Sequence, residues 1–243
     1  MSASNSRTLR RRSRPRVARG LAEIGGESVL IAGGGRAILL QLAYPAVGHG
    51  VAAYSDFAAH GIDRLRNTLR FVYAVAFGTP GQLAYVTRRV NRAHGPVRAE
   101  ATEHSPAFSA FDPRLQLWVA ATLYETAVLV HERIYGPLDD ASADLLYAEY
   151  AKVGTALQMP AALWPPDRAA FRRYFDDTLA VLRVDEVTRG VSDALLHPSR
   201  KTPAWLRLAM PTARLITAGL LPARLRSEFG LPWGPPANSG SSA

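Results

Sequence analysis

The chain has 243 residues, with 29 Lys and Arg against 20 Asp and Glu, no cysteine, and 48% apolar residues. That length supports one domain with a substantial core, or at most two small ones, and the apolar share is that of a globular protein. Without cysteine there is no disulfide, Cys-ligated zinc, iron–sulfur cluster or thiolate-bound haem, so any metal must be held by His, by carboxylates or by a prosthetic group.

The formal charge of +9 is unevenly spread. Residues 1–19 hold Arg7, Arg10, Arg11, Arg12, Arg14, Arg16 and Arg19 and no acid, which leaves 22 basic against 20 acidic residues elsewhere. Residues 1–20 are therefore expected to be a solvated, disordered arm, with tethering to anionic lipid through residues 7–19 as the rival reading and no specific nucleic acid as partner. A twin-arginine export signal is a further alternative, but no clean apolar stretch with a small-residue cleavage site follows the arginines, and the expected location is cytoplasmic. Val29 to Val51 is apolar yet interrupted by Gly33, Gly34, Gly35, Arg36, Gln41 and Pro45, and reads as a buried core segment instead of a membrane span.

Nearly every later segment has helical spacing and none sustains alternation. Ser28 to Ala43 is a helix candidate stopped by Pro45. Asp63 can cap a helix to about Phe77, with Leu65, Leu69, Val72 and Ala76 on one face and Gly78 as its stop. Thr79-Pro80, a cap followed by a proline at the first helical position, opens a helix toward His94. Asp112-Pro113 repeats that signal for the longest helix, up to Tyr135 and closed by Gly136-Pro137. Ser142 caps another to about Leu157, and Pro165-Pro166-Asp167 opens the next through Leu182. Shorter helices are expected around Asp185–Leu196 and Pro203–Arg226, and Gly234 to Ala243 is a Gly/Pro/Ser-rich tail. The fold class is all-α: one domain of about eight helices, residues 21–233, with loose ends.

The glycine triplet before Arg36 lacks the Lys-Ser/Thr pair and the preceding strand of a phosphate loop. It suits close approach of another helix, or of a flat ligand. There is no His-Glu-x-x-His and no Gly-x-Ser-x-Gly. His131-Glu132 are adjacent and point about 100° apart on a helix, and scattered Ser, His and Asp residues assemble into no triad by sequence. Three histidines remain. His197 precedes a proline at a helix end and looks like a cap. His49 is flanked by Gly48 and Gly50. His94 ends a basic helix carrying Arg88, Arg89 and Arg92, where a ring can project from the terminal turn, or simply be solvated.

The run Leu30 to Val47 (LIAGGGRAILLQLAYPAV) is followed in order by Tyr54-Ser55-Asp56-Phe57, Arg64-Leu65-Arg66-Asn67-Thr68 and Phe71 to Thr79. Val90-Asn91-Arg92-Ala93-His94, Leu117-Trp118-Val119-Ala120-Ala121-Thr122-Leu123, Glu132-Arg133 and Thr217 to Pro222 come next. Together, over most of residues 22–233, these resemble the MpaB/rubber oxygenase (latex-clearing protein) family. The resemblance implies a globin-like helical domain carrying haem b, with O2 as co-substrate for cleavage of carbon–carbon double bonds. It maps the axial iron ligand onto His94 and the other haem face onto Arg64 and Thr68, a catalytic pair. The glycine triplet, Gly34 and Gly35 in particular, would give room for the macrocycle. Arg64 and Thr68 are i, i+4 and share a helix face; the arginine suits a haem propionate or negative charge developing on oxygen, and the threonine a hydrogen bond to that oxygen, against a surface Arg and a back-bonded Thr as the plain alternative.

Three departures stand out: Asn67 where a lysine able to ligate iron is expected, Tyr44 where relatives read histidine before proline, and Ala120 where they read a second histidine. The expected function is a haem-dependent oxygenase acting on an apolar small molecule; the alternative is a helical haem- or lipid-binding protein that has lost oxygenase chemistry.

Overall fold

The computed structural model describes residues 20, 21, 23, 32–54, 57–198 and 202–234, with the side chains of 57–62 excepted. The expectations for the arginine arm before Gly20, for Ser28 and for the tail after Gly234 fall outside those residues. Described are helices α1 (Gly34–Leu42), α2 (Pro45–Tyr54), α3 (Phe57–Phe77), α4 (Pro80–His94), α5 (Pro113–Tyr135), α6 (Asp140–Thr155), α7 (Arg168–Val181), α8 (Glu186–Leu196), α9 (Ala204–Leu220) and α10 (Ala223–Glu228). One short antiparallel ribbon, β1 (Arg98–Ala99) with β2 (Phe108–Ser109), joins α4 to α5. The fold is all-α. The helix count exceeds the expected eight because Pro45, the expected stop of the first helix, opens the further helix α2, and because Pro222 separates α9 from α10. A two-residue ribbon is too short to leave an alternating pattern, which is why it was not foreseen.

Local chemistry explains the helix ends. Thr79 and Gln82 form a reciprocal capping box in front of Pro80. Asp112, Asp167 and Asp185 each accept a backbone N–H of the first turn of α5, α7 and α8. Two expected caps are displaced. Asp139, not Ser142, caps α6: its carboxylate accepts both the N–H and the hydroxyl of Ser142. Asp63 lies inside α3, which begins at Phe57, and pairs with Arg66 one turn on instead.

Helix α1 is the centre of the packing, in contact with α2, α5, α8 and α9. A Cβ on Gly33 would fall 2.7 Å from Thr126 Cγ2, and one on Gly35 would fall 2.1 Å from Thr217 Oγ1, so these two glycines let α5 and α9 close on α1. Arg36, only 3% exposed, ties the three helices together. Its Nε donates to the Leu220 carbonyl at 2.9 Å, its Nη1 donates to Thr126 Oγ1 at 2.6 Å, and the guanidinium pairs with Glu125. A buried charge is tolerated only when its donors are met in this way.

Behind α5 an aromatic core fills the space to α6 and α7. Tyr124 stands edge-on to Phe171 at 4.9 Å and to Tyr147 at 5.3 Å, and Trp118 stacks on Phe175 at 5.3 Å while its indole N–H donates to the Leu40 carbonyl at 3.1 Å. No single described helix is long and apolar enough to cross a membrane. The pair α1 and α2 passes by length and composition, but is bent by 103° at the break.

Adding one methyl to the α1–α9 contact tests this arrangement. Gly35→Ala should cost about 1–3 kcal/mol in urea unfolding, and part of that loss should return in Gly35→Ala/Thr217→Ala, which removes the hydroxyl nearest the new Cβ.

Candidate functional site

Helices α3 and α4 pack against each other and reverse at Gly78-Thr79. At a helical rise of 1.5 Å per residue, Arg64 lies about 20 Å from the reversal along α3 and His94 about 21 Å from it along α4. The hairpin therefore brings the two level, and the electrostatic effect of Arg64 on the His94 ring reports the same proximity. Thr68 sits one turn nearer the reversal on the same face of α3.

His94 is the last residue of α4, so its ring leaves the helix where no further turn crowds it. It is half-buried, and Phe111 stands edge-on to it at 6.3 Å. Its Nδ1 is buried with no hydrogen-bond partner among the described residues. Burial, and secondarily the Arg64 charge, hold its pKa below the ordinary imidazole value. The ring is thus neutral near pH 7, the form with a lone pair to offer a metal. The end of α4 is pinned by a chain of amides. Gln158 Nε2 donates to Asn91 Oδ1 at 2.9 Å, and Gln116 Nε2 donates to Gln158 Oε1 at 2.6 Å. Neither Phe111 nor these amides stood out in the sequence, because polar residues in loops and helix ends carry no periodic signal.

Arg64 and Thr68 are both solvent-accessible. Arg64 is nonetheless surrounded closely enough that desolvation lowers its pKa. The wall that the hairpin presents is apolar: Leu65, Leu69, Val72, Val86 and Val90 are all half-buried, and among the described residues none on α4 is fully covered. Gly34 faces the same helix, since a Cβ there would meet only Leu65 Cδ1, at an ordinary 3.6 Å. On Gly35 a Cβ would instead meet Thr217 of α9, so this glycine lets the two helices pack closely. Asn67 is exposed, and its carboxamide accepts from Arg70 at 3.5 Å.

The other two departures from the family pattern lie in or against the core. Tyr44 lies 6.3 Å from the Trp118 ring, and Ala120, 2% exposed, abuts Gly154, with no space for an imidazole. His197 behaves as a helix-end group, its Nδ1 3.3 Å from the Asp193 carbonyl. His131 is buried against Tyr135. His49 has both nitrogens within hydrogen-bond distance of partners, Ser105 and Asp185, so neither is left over for a metal. Among the described residues no three His, Asp or Glu side chains gather into a metal cage. His94 thus stands apart from any such cluster, with the Arg64 charge felt at its ring.

Two outcomes follow. Because the folded-state pKa of His94 is lowered, the unfolded chain takes up a proton below about 6.5 that folded His94 resists. The stability tied to this is complete above that pH and is lost as pH falls toward the folded value. His94→Gln should flatten the fall in urea midpoint between pH 7 and pH 5. Ala120→His, which overfills the α5–α6 contact, should lower stability by about 1–3 kcal/mol.

A family model described as ER-bound oxygenase mpaB/B'/rubber oxygenase, catalytic domain, matches residues 22–238. An uncharacterized protein of Mycobacterium bovis and one of Mycobacterium tuberculosis are each 39% identical over 207 residues, covering 81% of this chain and 78% of the relative. No solved structure matches. The helical body that positions His94, Arg64 and Thr68 is coextensive with that catalytic domain, and the chain belongs to the mpaB/rubber oxygenase family.

Proposed function

We propose that this oxygenase-family domain binds haem b through His94 and uses O2 to oxidise an apolar small molecule, by cleavage of a carbon–carbon double bond or a related oxidation. The observation that carries the reading is the buried, unpartnered Nδ1 on a neutral ring beside an accessible, desolvated Arg64. A nitrogen left without a partner costs free energy unless something else takes its lone pair or its proton. When bound, the haem supplies the redox chemistry toward O2 that the side chains of this cysteine-free chain lack.

His94 would hold the iron, and Phe111 would limit rotation of the ring. Arg64 would bind a haem propionate or place positive charge where negative charge develops on oxygen. The Thr68 hydroxyl, one turn along, can donate a hydrogen bond from the same face. The half-buried leucines and valines of the hairpin would exclude water and receive an apolar substrate. Asn67 has no amine to ligate iron, so a resting state closed by a lysine at that position is not expected. The ordered domain at residues 21–233, its cytoplasmic location and the arginine arm as a solvated extension or weak tether to anionic lipid belong to the same proposal.

The full chain, purified and titrated with haemin, should give a Soret band at one equivalent. His94→Ala should lose it, and Arg64→Gln should weaken haem binding about tenfold, the loss of one charge-assisted contact. A chain that takes up no haem, or a Soret band unchanged in His94→Ala, overturns the assignment. The closed packing around Ala120 favours the second reading, a binding protein without oxygenase chemistry. Stoichiometric O2 uptake by the reduced protein with an apolar alkene would reject that reading, and a stable oxy-complex with no product would support it.

A further inference from the structure

Positions 49, 105 and 185 are far apart in sequence, yet the fold brings them into one hydrogen-bonded line. His49 of α2 is 7% exposed. Its Nε2 is 2.7 Å from Asp185 Oδ2, and its Nδ1 is 2.8 Å from Ser105 Oγ. We propose that Ser105, His49 and Asp185 form an acyl-transfer site, separate from the His94 wall, in which Ser105 is the nucleophile, His49 its general base and Asp185 the carboxylate that holds the imidazole. The substrates such a site takes are esters.

The packing that creates this line is specific. A Cβ on Gly48 would lie 2.2 Å from Thr188 Cγ2, and one on Gly50 would lie 3.2 Å from the Phe108 ring. The two glycines therefore let α2 close on the start of α8 and on the ribbon, and His49 between them reaches both. Asp185 is fixed from its other side: Oδ1 accepts the Thr188 N–H at 2.8 Å and the Thr188 hydroxyl at 2.9 Å. Partial burial pushes the Asp185 pKa up, but these bonds and the one from His49 more than offset it, and the carboxyl stays below its usual range.

The proton positions follow from donor and acceptor chemistry. An ionised carboxylate only accepts, so the hydrogen between His49 and Asp185 belongs to Nε2. In the neutral ring Nδ1 then carries the lone pair and faces the Ser105 hydroxyl, the relation a serine nucleophile needs with its base. The ring is used with its two nitrogens exchanged relative to the familiar serine-hydrolase arrangement, but either imidazole nitrogen can act as base when the other is held by a carboxylate. The competing acceptor for the hydroxyl, the Pro106 carbonyl, is farther, at 3.3 Å. An open cavity of about 490 Å³, lined in part by Arg98, Glu100, Phe108 and Asp112, lies along the ribbon whose connecting loop carries Ser105, with Ser105, His49 and Asp185 outside its lining.

In the first half-reaction Ser105 Oγ bonds to the ester carbonyl carbon as its proton passes to His49 Nδ1. The carbon–alkoxy bond then breaks, and the alcohol leaves with that proton. In the second, water bonds to the acyl carbon and gives a proton to Nδ1. The carbon–Oγ bond breaks, Oγ recovers the proton, and a carboxylic acid departs. No oxidant, reductant or metal enters the balance.

The test is covalent labelling of the full chain with a fluorophosphonate probe, with the adduct located by peptide mass spectrometry. A single adduct on Ser105 is expected, absent in Ser105→Ala, which sits in a loop and leaves helical content unchanged. His49→Asn should slow labelling a hundredfold or more. Asp185→Asn should slow it at least tenfold while keeping the α8 cap, because Asn caps as well as Asp. Turnover of p-nitrophenyl butyrate should follow the same order. No adduct on wild type, an adduct on another serine, or a Ser105 labelling rate unchanged in Asp185→Asn would overturn the proposal. Asp185→Asn settles the point even if His49→Asn fails to fold.

Discussion

The interior of this domain is organised around one guanidinium. Arg36 enters the core from α1, and its charge is tolerated there because Glu125, Thr126 and the Leu220 carbonyl converge on it from α5 and from the end of α9. Withdrawing any of them would leave a buried donor or charge unmet, at a cost of several kcal/mol. The requirement is directional, unlike apolar burial, so it fixes the rotation of α1 as well as its depth. Gly33 and Gly35 make the required distance attainable by removing the only atoms that would hold α5 and α9 away.

Once α1 is fixed, the placement of the chemical groups follows by contact. Pro45 turns the chain into α2, α2 lies on α8, and α8 touches α3, which carries Arg64 and Thr68. The two informative imidazoles end in opposite states. His49 sits where three elements meet, and both its nitrogens are engaged. His94 ends a helix on the hairpin's edge, and one of its nitrogens has no partner among the described residues. Since a ring nitrogen is either a donor or an acceptor at a given moment, partners alone decide whether a histidine is a base, a ligand or a strut.

The α3–α4 hairpin is thinly covered. Among the described residues only Phe71 of α3 is fully buried, and none of α4. Its apolar residues stay half-covered, while the aromatic core behind α5 is closed by ring-to-ring contacts. The amide chain from Asn91 through Gln158 to Gln116 anchors the His94 end of the hairpin to that closed core.

What the sequence determined is what local rules govern. Thr79-Pro80, Asp112-Pro113, Asp167 and Asp185 marked helix starts that the structure contains, because a cap acts within four residues of its own position. The all-α class followed from periodicity, and the family from an ordered set of motifs that survives without any knowledge of contacts. Asp63 and Ser142 misled for the same local reason: each has capping chemistry, and only neighbouring turns revealed that α3 had already begun and that Asp139 held the better position. Tertiary structure alone decided which glycine meets a helix and which faces the hairpin, that Ala120 is sealed by Gly154, and that Ser105, His49 and Asp185 meet. Those facts depend on distances between segments far apart along the chain, which are set by the packing of α1 around its buried charge and leave no trace in the spacing of any one segment.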